Sequence, residues 1–411
     1  EDAPERHRLR SEIFAKANYP QKPLPLPAKP SKKPKRLRIG YFSSDFGKHP
    51  VTYLITKMFA LHDREKFEIF AYSFGGQKEN PWRQKVIDAV DVFTDVTEMS
   101  SLKIALLARR DEIDIAIDLN GLTKNSRLSI FAYRAAPIQM SYLGIAMTTG
   151  ADFIDYLIAD RICIPSDMES CFSESIMHLP NCYQVNDNST VISNVAMSRS
   201  EMGLPENGFV FCCFNQSFKI TQNIFDIWMR VLRQVDGSVL WLRRPNEWAE
   251  QNLRKEANKR GVAGDRLIFA DRLPLEKHLA RHKLADLFLD TFNFNAGATA
   301  SAALWAGLPL VTKMGKGFVT RVSGSMLSAI GLDEMITKTE QEYEALILDL
   351  AINSQRLLSV KQKLISNRLS TPLFDTKLFT RHMEKGYTLA YQNYYNGMEP
   401  RSLIINGANV L

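Results

Sequence analysis

Two successive series of short apolar segments alternate with helix-patterned segments, and this alternation constrains the fold of the 411-residue chain more than any other feature. The first series opens with RLRIGYFS at residues 36–43 and runs through FEIFAYSF, DVFTDV, IDIAIDL and QMSYLG to DYLIAD, which ends at residue 160. These segments are apolar almost throughout, as parallel strands buried on both faces are. Helix-patterned stretches such as VTYLITKMFALH separate them. The series predicts an α/β domain with a parallel sheet.

The second series opens with FVFCCF at residues 209–214 and continues through SVLWLR, RLIFA, ADLFLD and LPLVT. From residue 340 to about 395 the pattern is helical. Since one hydrophobic core rarely grows beyond about 250–300 residues, two doubly wound, Rossmann-like domains are expected. The predicted organisation is a helix remnant and linker (1–35), an N-terminal domain (36–200), a nucleotide-sugar-binding domain (201–375) and a C-terminal helical segment (376–411).

Composition excludes several classes of protein. The net charge of +7 comes partly from the Pro-rich, basic segment at residues 20–36, which is expected to be an extended linker, so no nucleic-acid partner is predicted. No apolar stretch approaches the roughly 20 residues of a membrane helix. The five cysteines are an odd number without a C-x-x-C pair, which favours a reducing cytoplasm without disulfides or zinc. Because the chain begins at Glu1, we expect a fragment of a longer protein, with no visible secretion signal.

Polar residues follow several of the predicted strands, at the end of the sheet where ligands of such folds bind. Gln216 and Lys219 follow FVFCCF, where a lysine could neutralise a leaving diphosphate or could simply be solvated. Asp45 and His49 follow the first strand, and such a histidine could act on an acceptor or be merely exposed. Neither a G-x-G-x-x-G fingerprint nor a phosphate loop is present in the sequence, which disfavours nicotinamide and phosphate-loop ATP chemistry.

Two further segments of the second series suit a phosphorylated ligand. His278 and Arg281 are three residues apart on one predicted helical face, where they could converge on a ligand or form an exposed basic face. The small residues at 297–301 open another predicted helix, where they could admit a pyrophosphate or could pack against the sheet.

Taken together, the sequence resembles the catalytic region of the O-linked N-acetylglucosamine transferase family, which includes the plant SPINDLY-type proteins and bacterial relatives. The resemblance extends in family order from about residue 36 to 380, through LRIGYFSSDFGKHP, DLNGLTKNSR, APIQMSYLGIAMTTGADFIDYLIAD, FNQSFKI, SVLWLRRP, HLARHKLADLFLDTFNFNAG, ALWAGLPLVT, RVSGSML and STPLFDTKLF. It implies a GT-B fold with two facing domains and an active site in the cleft. It also implies a metal-independent, inverting transfer of a sugar, usually from UDP-N-acetylglucosamine, to Ser or Thr hydroxyls of proteins, without a cofactor.

The resemblance also implies a role for each matching residue. The expected catalytic residues are His49, Lys219 and Asp45, and Arg127 joins Asp45 and His49 on the acceptor side. The expected donor-binding residues are Gln216, Lys219, Leu242, Leu273, His278, Arg281, Gly297, Ala298, Thr299 and Gly144. The family also implies tetratricopeptide repeats upstream of this region.

The sequence departs from the family pattern at the start of one predicted helix. Gly297 and Ala298 stand where the family has a His-Thr run before Thr299, and Ala302 replaces an aspartate that binds the ribose. A transferase that uses GDP-fucose or a CMP-linked nonulosonate, as in flagellin modification, is therefore an alternative. A non-catalytic, protein-binding domain is the alternative from another class.

Overall fold

The computed structural model describes residues 2–19, 23–26, 29–76 and 80–407. The chain divides into two compact units. The N-terminal unit contains the described residues of 3–189 and 374–411, and the C-terminal unit contains Asp2 and residues 190–373. The predicted domain boundaries were residues 200 and 375, whereas the chain changes units at 189 and 373, and its last helix belongs to the N-terminal unit.

Each unit is built on one sheet. The strands are β1 Leu37–Ser43, β2 Phe67–Ser73, β3 Val92–Asp95, β4 Ile115–Asp118, β5 Ile138–Ser141, β6 Tyr156–Asp160, β7 Ser175–Leu179, β8 Val210–Cys213, β9 Val239–Arg243, β10 Leu267–Ala270, β11 Leu287–Leu289, β12 Leu310–Lys313, β13 Ile336–Thr337 and β14 Leu403–Ile404. The order is β14-β7-β6-β5-β4-β1-β2-β3 in the N-terminal unit and β10-β9-β8-β11-β12-β13 in the C-terminal unit. Paired neighbours are parallel.

The strand order fixes where a ligand can bind in each unit. The chain starts in the middle of each sheet, moves outward to one edge, and then returns to the other side of its first strand. This reversal lies between β1 and β4 in the N-terminal unit and between β8 and β11 in the C-terminal unit. In open parallel sheets, ligands bind outside the carboxyl ends of the strands at this switch point.

Helices cover the sheets and follow the predicted alternation. They are α1 Pro4–Asn18, α2 Pro50–Leu61, α3 Pro81–Ala89, α4 Ser101–Arg110, α5 Ser129–Ala132, α6 Gln222–Gln234, α7 Glu247–Lys259, α8 Leu275–Arg281, α9 Ala298–Trp305, α10 Val322–Ala329, α11 Glu340–Ile352, α12 Ser354–Asn367 and α13 Thr376–Tyr395. Helix α6 shows why they form: Ile224, Ile227, Trp228 and Val231 recur at helical spacing and are all buried. Burying a large apolar side chain stabilises the fold by about 1.5–3 kcal/mol.

Strand β1 shows how the N-terminal core is divided between two faces of its sheet. Successive side chains of a strand point to opposite faces. Tyr41 packs on Phe59 of α2, with ring centroids 4.6 Å apart, whereas Phe42 stacks on Tyr72 of β2 at 4.5 Å. The Phe42 face continues into a cluster that includes Ile104 of α4. Apolar residues on both faces explain why the strand reads as a continuous apolar run.

The Pro-rich segment has neither helix nor strand in its described residues, 23–26 and 29–36. Residues 20–22 and 27–28 of the predicted linker lie outside the described residues. The described part is fastened to α13, because Lys33 donates to Gln392 over 2.6 Å and Lys29 lies 5.0 Å from the Tyr394 ring centroid. In the described parts of the chain, none of the helices is both long and apolar enough to cross a bilayer.

Candidate functional site

Lys219 lies at the switch point of the C-terminal unit. It ends the short turn Ser217–Lys219 that follows β8, and its Nζ donates a hydrogen bond to the main-chain oxygen of Asn295 over 2.9 Å. Asn295 lies in the loop after β11, and the neighbouring Phe294 ring lies 3.8 Å from the same ammonium. An ammonium has three hydrogens to donate. The Asn295 bond uses one of them, so two remain for a ligand.

The electrostatic surroundings of Lys219 favour an anion. Burial lowers the pKa of Lys219 to about 8, against the opposing effect of the Asp290 carboxylate. A desolvated ammonium gains more from a nearby negative charge than a fully hydrated one does, because the local dielectric is lower. The structure thus provides a partly dehydrated positive charge at the position where the sequence placed Lys219.

A buried carboxylate shapes the loop that leads from β11 to α9. Asp290 is fully buried and accepts hydrogen bonds from the main-chain N–H groups of Thr291 and Ala296 and from the Thr312 hydroxyl, at 2.7–2.8 Å. Burial raises the pKa of Asp290, and these hydrogen bonds counteract that rise. The carboxylate therefore holds the loop in one conformation and directs the chain into the first turn of α9.

The amino end of α9 is the second anion-binding feature of this unit. Gly297 precedes the helix, and Ala298 and Thr299 occupy its first turn. The first N–H groups of a helix have no partner within the helix and favour anions. Small side chains leave these groups accessible. However, the Thr299 hydroxyl donates to Oδ1 of Asn215, so its hydrogen is already engaged.

His278 and Arg281 come together on one face of α8, against Phe214 at the end of β8. The His278 ring centroid lies 5.3 Å from that of Phe214, and the Arg281 guanidinium carbon lies 4.6 Å from it. Arg281 is 3% exposed and donates to the main-chain oxygen of Asp271 over 2.6 Å. The alternative of an exposed basic face is therefore wrong for Arg281, because its guanidinium is buried against Phe214 and bonded to the Asp271 oxygen.

Burial also sets the charge states of this pair. Burial lowers the pKa of His278 to about 2, and the nearby His282, Arg281 and Arg243 lower it as well. Burial also lowers the pKa of Arg281 to about 10. His278 is consequently neutral at pH 7, while Arg281 keeps its charge. A neutral imidazole can stack on a planar ring or exchange a hydrogen bond with it.

The other predicted donor residues of this unit differ in what they can offer a ligand. Leu242 is 1% exposed within β9, so its side chain packs in the core, and its expected role in donor binding stays a prediction. Leu273 is partly exposed just before α8. Gln216 is exposed and begins the turn that ends at Lys219.

The N-terminal unit has its own polar cluster at its switch point. Asp45 follows β1, and its Oδ2 accepts a hydrogen bond from Nδ2 of Asn120, which follows β4, over 2.9 Å. His49 Nδ1 lies 3.5 Å from the same carboxylate oxygen. Burial raises the pKa of Asp45 and lowers that of His49, and the attraction between the two groups opposes both shifts. The sequence indicated Asp45 and His49 but not Asn120, although the predicted strand before Asn120 could have drawn attention to it.

Two partners compete for the Nδ1 atom of His49. The residue is the N-cap of α2, and Nδ1 accepts a long hydrogen bond from the Val51 N–H at 3.4 Å. A single nitrogen cannot accept from Val51 and donate to Asp45 at the same time. When Nδ1 carries the hydrogen and faces Asp45, Nε2 has a free lone pair and is able to accept a proton.

Arg127 and Gly144 serve the framework of the N-terminal unit. Arg127 donates to the main-chain oxygen of Met99 over 2.7 Å and to Ser101 over 3.3 Å, which fastens it to the start of α4. A Cβ atom on Gly144 would lie 2.4 Å from the main-chain oxygens of Leu119 and Asn120. Glycine is thus required where the loop after β5 crosses the loop after β4. The expected roles in acceptor and sugar binding stay predictions.

Within the residues that the structure describes, no group of three His, Cys, Asp or Glu side chains is arranged to hold a metal ion. All five cysteines lie in the described residues, where they are buried and none forms a disulfide.

Comparison with known families decides what this geometry belongs to. The family model described as glycosyl transferase family 41 matches residues 12–197 and 189–383. The chain belongs to glycosyl transferase family 41.

The curated relatives of this family 41 chain include SEC of Arabidopsis thaliana, a probable UDP-N-acetylglucosamine–peptide N-acetylglucosaminyltransferase. SEC is 40% identical over 385 residues, which cover 92% of this chain and 39% of that protein. The Caenorhabditis elegans UDP-N-acetylglucosamine–peptide N-acetylglucosaminyltransferase is 28% identical, covering 88% and 41%. The chain spans about two fifths of the length of these relatives.

Solved structures agree with the family 41 assignment. An O-GlcNAc transferase mutant from Thermobaculum terrenum matches with a TM-score of 0.89 and 28% identity, covering 96% of this chain and 75% of that one. Anabaena HepE in complex with UDP and glucose matches with a TM-score of 0.55 and 12% identity, covering 86% and 100%, which shows the fold alone. The predicted family and GT-B fold class are confirmed. In this family 41 chain, the predicted donor residues of the C-terminal unit form two groups, one around Lys219 and α9 and one around Phe214 and α8.

Proposed function

We propose that this chain is the catalytic region of an inverting protein O-glycosyltransferase that moves N-acetylglucosamine from UDP-N-acetylglucosamine to Ser or Thr hydroxyls of proteins. The observation that carries the proposal is Lys219, a partly dehydrated cation fixed at the switch point by its bond to Asn295. The names of the curated relatives support the donor and the protein acceptor.

Charge on the departing diphosphate is the main electrostatic problem of the reaction. In an inverting displacement the acceptor oxygen attacks the anomeric carbon as the bond to the diphosphate breaks, and the bonding electrons leave with the nucleotide. Lys219 and the N–H groups at the start of α9 neutralise that charge. A preorganised donor of this kind typically contributes about 10²–10³-fold to the rate.

Recognition of the nucleotide is assigned to the second group of residues. The neutral His278 imidazole meets the base, while Arg281, stacked on Phe214, holds α8 in place and keeps a positive charge nearby. Main-chain groups near Leu273 are also assigned to the binding of the nucleotide. The stacked arrangement suits a planar ring more than an extended apolar ligand.

Removal of the acceptor proton is assigned to His49, in the tautomer that donates from Nδ1 to Asp45 and leaves Nε2 free. A phosphate oxygen of the donor is the other candidate base. We further propose that the charge supplied by Lys219 and α9 makes a metal unnecessary. From the family resemblance we also propose that tetratricopeptide repeats upstream of this region select the acceptors and that the protein is cytoplasmic.

The proposal is tested by intact-mass spectrometry of a Ser/Thr-rich acceptor protein incubated with the chain and UDP-N-acetylglucosamine. We expect the acceptor to gain the mass of N-acetylhexosamine, and Lys219→Ala to prevent this gain. GDP-fucose and a CMP-linked nonulosonate are run in parallel, because Gly297 and Ala302 depart from the usual donor pattern. A mass gain with one of these donors alone would refute the proposed donor. No gain with any donor would favour a protein-binding role.

A further inference from the structure

A directed chain of hydrogen bonds connects the start of α9 to the support of Lys219. The Thr299 hydroxyl donates to Oδ1 of Asn215, and Nδ2 of Asn215 donates to the Thr291 hydroxyl oxygen over 2.8 Å. The Thr291 hydroxyl in turn donates to the main-chain oxygen of Phe294 over 2.7 Å. The Phe294 ring contacts the Lys219 ammonium. This series of hydrogen bonds therefore connects the amino end of α9 to the residue that supports Lys219.

The direction of each hydrogen bond follows from which partner has a hydrogen left to donate. Nδ2 of Asn215 also lies 3.3 Å from Oδ1 of Asp290, which has no hydrogen to offer when ionised. The Thr291 hydroxyl already donates its hydrogen to the main-chain oxygen of Phe294, so it too can only accept a hydrogen bond from Asn215. The amide of Asn215 must therefore turn its N–H₂ group to these two oxygens and its oxygen to Thr299, which leaves the Thr299 hydroxyl as the donor.

Asn215 is well suited to hold this arrangement. It is 2% exposed, and the loss of one partner would leave a buried polar group unsatisfied, which costs about 1–3 kcal/mol. It belongs to the loop after β8, whereas Thr291, Phe294 and Thr299 belong to the loop after β11 and to α9. The residue thus fastens the two sides of the switch point together.

We infer that Asn215 is a positioning residue of the diphosphate site, which fixes the start of α9 relative to Lys219 through its bonds to Thr299 and Thr291. The inference rests on the proposed function, since it presumes that a nucleoside diphosphate binds there. The Thr299 hydroxyl acts through Asn215, because its hydrogen is engaged there, whereas the main-chain N–H of Thr299 is among the groups proposed to face the diphosphate.

The test is a double-mutant cycle on the affinity of the chain for UDP, measured by titration calorimetry. Thr299→Val removes the hydroxyl at nearly constant shape, and Asn215→Asp replaces the N–H₂ group with an oxygen that would face the Asp290 carboxylate. We expect each change to weaken UDP binding about tenfold and the double variant to be little worse than either, since both break the same connection. Thr299→Ser, which keeps the hydroxyl, should bind UDP like the parent.

Thr337→Val is the matched control. It removes a buried hydroxyl of β13 that donates to the main-chain oxygen of Thr312 over 2.9 Å and contacts neither Asp290 nor the hydrogen bonds that lead to α9. It should lower the thermal midpoint while leaving UDP affinity within about twofold of the parent. If Asn215→Asp fails to fold, the Thr299→Val and Thr299→Ser pair still decides the outcome.

The possible failures are distinguishable. A parent chain that binds no UDP would overturn the proposed function and this inference together. A parent that binds UDP and a Thr299→Val variant of equal affinity would overturn the inference alone. Additive losses in the double variant would also overturn it, because Asn215 and Thr299 would then act independently.

Discussion

Lys219 and Asn295 are 76 residues apart in the sequence, and the ammonium of the first donates to the main-chain oxygen of the second over 2.9 Å. The bond joins the loops that follow β8 and β11, the two strands between which the chain order reverses. The N-terminal unit has a comparable bond between Asn120 and Asp45, across β4 and β1. Each unit thus places a fixed polar group where its topology opens a ligand site.

Replacement of Lys219 tests its role in leaving-group stabilisation. Lys219→Ala should lower the rate of sugar transfer by about 10²–10³-fold, because the diphosphate loses its nearest cation. The far-ultraviolet circular dichroism and the thermal midpoint should stay close to the parent values. Lys255→Ala, on the exposed side of α7, is the control and should transfer sugar at the parent rate. Transfer by Lys219→Ala at the parent rate would refute the assigned role.

The pH dependence of transfer should report the same ammonium. Since burial lowers the pKa of Lys219 to about 8, the free enzyme loses this positive charge as the pH rises through that value. The kcat/KM for the donor is therefore expected to fall above about pH 8, because kcat/KM reports ionisations of the free enzyme. Lys219→Arg keeps its charge to higher pH and should move the fall upward. An unchanged profile in Lys219→Arg would assign the fall to another group.

Asp45→Asn separates acceptor chemistry from donor binding. The change keeps the shape of the side chain but removes the carboxylate that faces Nδ1 of His49, so the histidine loses the partner that favours its basic tautomer. Transfer should slow by about 10²–10⁴-fold. UDP affinity, measured by titration calorimetry, should stay within about twofold of the parent, because the residues proposed to bind UDP belong to the C-terminal unit whereas Asp45 is assigned to the acceptor. An equal loss of UDP affinity would place Asp45 in donor binding instead.

Gly144→Ala tests the crossing of the two loops in the N-terminal unit. Its new methyl group would lie 2.4 Å from the main-chain oxygens of Leu119 and Asn120, so the loops must separate. The free energy of unfolding, measured by chemical denaturation, should fall by about 1–3 kcal/mol. Gly76→Ala, where a Cβ atom would meet no atom of the described residues within 4 Å, is the matched control and should leave that energy nearly unchanged. Equal stability of both variants would contradict the crowding around Gly144.

Much of the fold could be predicted because its central strands are buried on both faces. β1, β4, β8 and β11 read as apolar runs, and the helical spacing placed His278 and Arg281 on one face of α8. The edge strands β3 and β10 were predicted as DVFTDV and RLIFA, but the edge strands β13 and β14 were not. β14 is two residues long and pairs with β7, more than two hundred residues earlier in the sequence. Such a pairing depends on tertiary contacts that leave little local pattern.

The site was predictable in its charged residues and not in the residues that hold them. Lys219, Asp45 and His49 follow apolar segments and stand out as ionisable groups. Asn120 and Asn215 are equally central, but a single asparagine after a strand is also a common turn residue. Only the folded chain shows that each connects two loops. The burial of Arg281 against Phe214 depends likewise on the position of β8 relative to α8.

A crystal structure of the chain with bound UDP-N-acetylglucosamine tests the central claim most directly, namely that the switch point of the C-terminal unit holds a nucleoside diphosphate. The predicted density has the diphosphate within hydrogen-bond distance of Lys219 Nζ and of the first N–H groups of α9, with the base against His278. Diphosphate density away from both Lys219 and α9 would contradict the account.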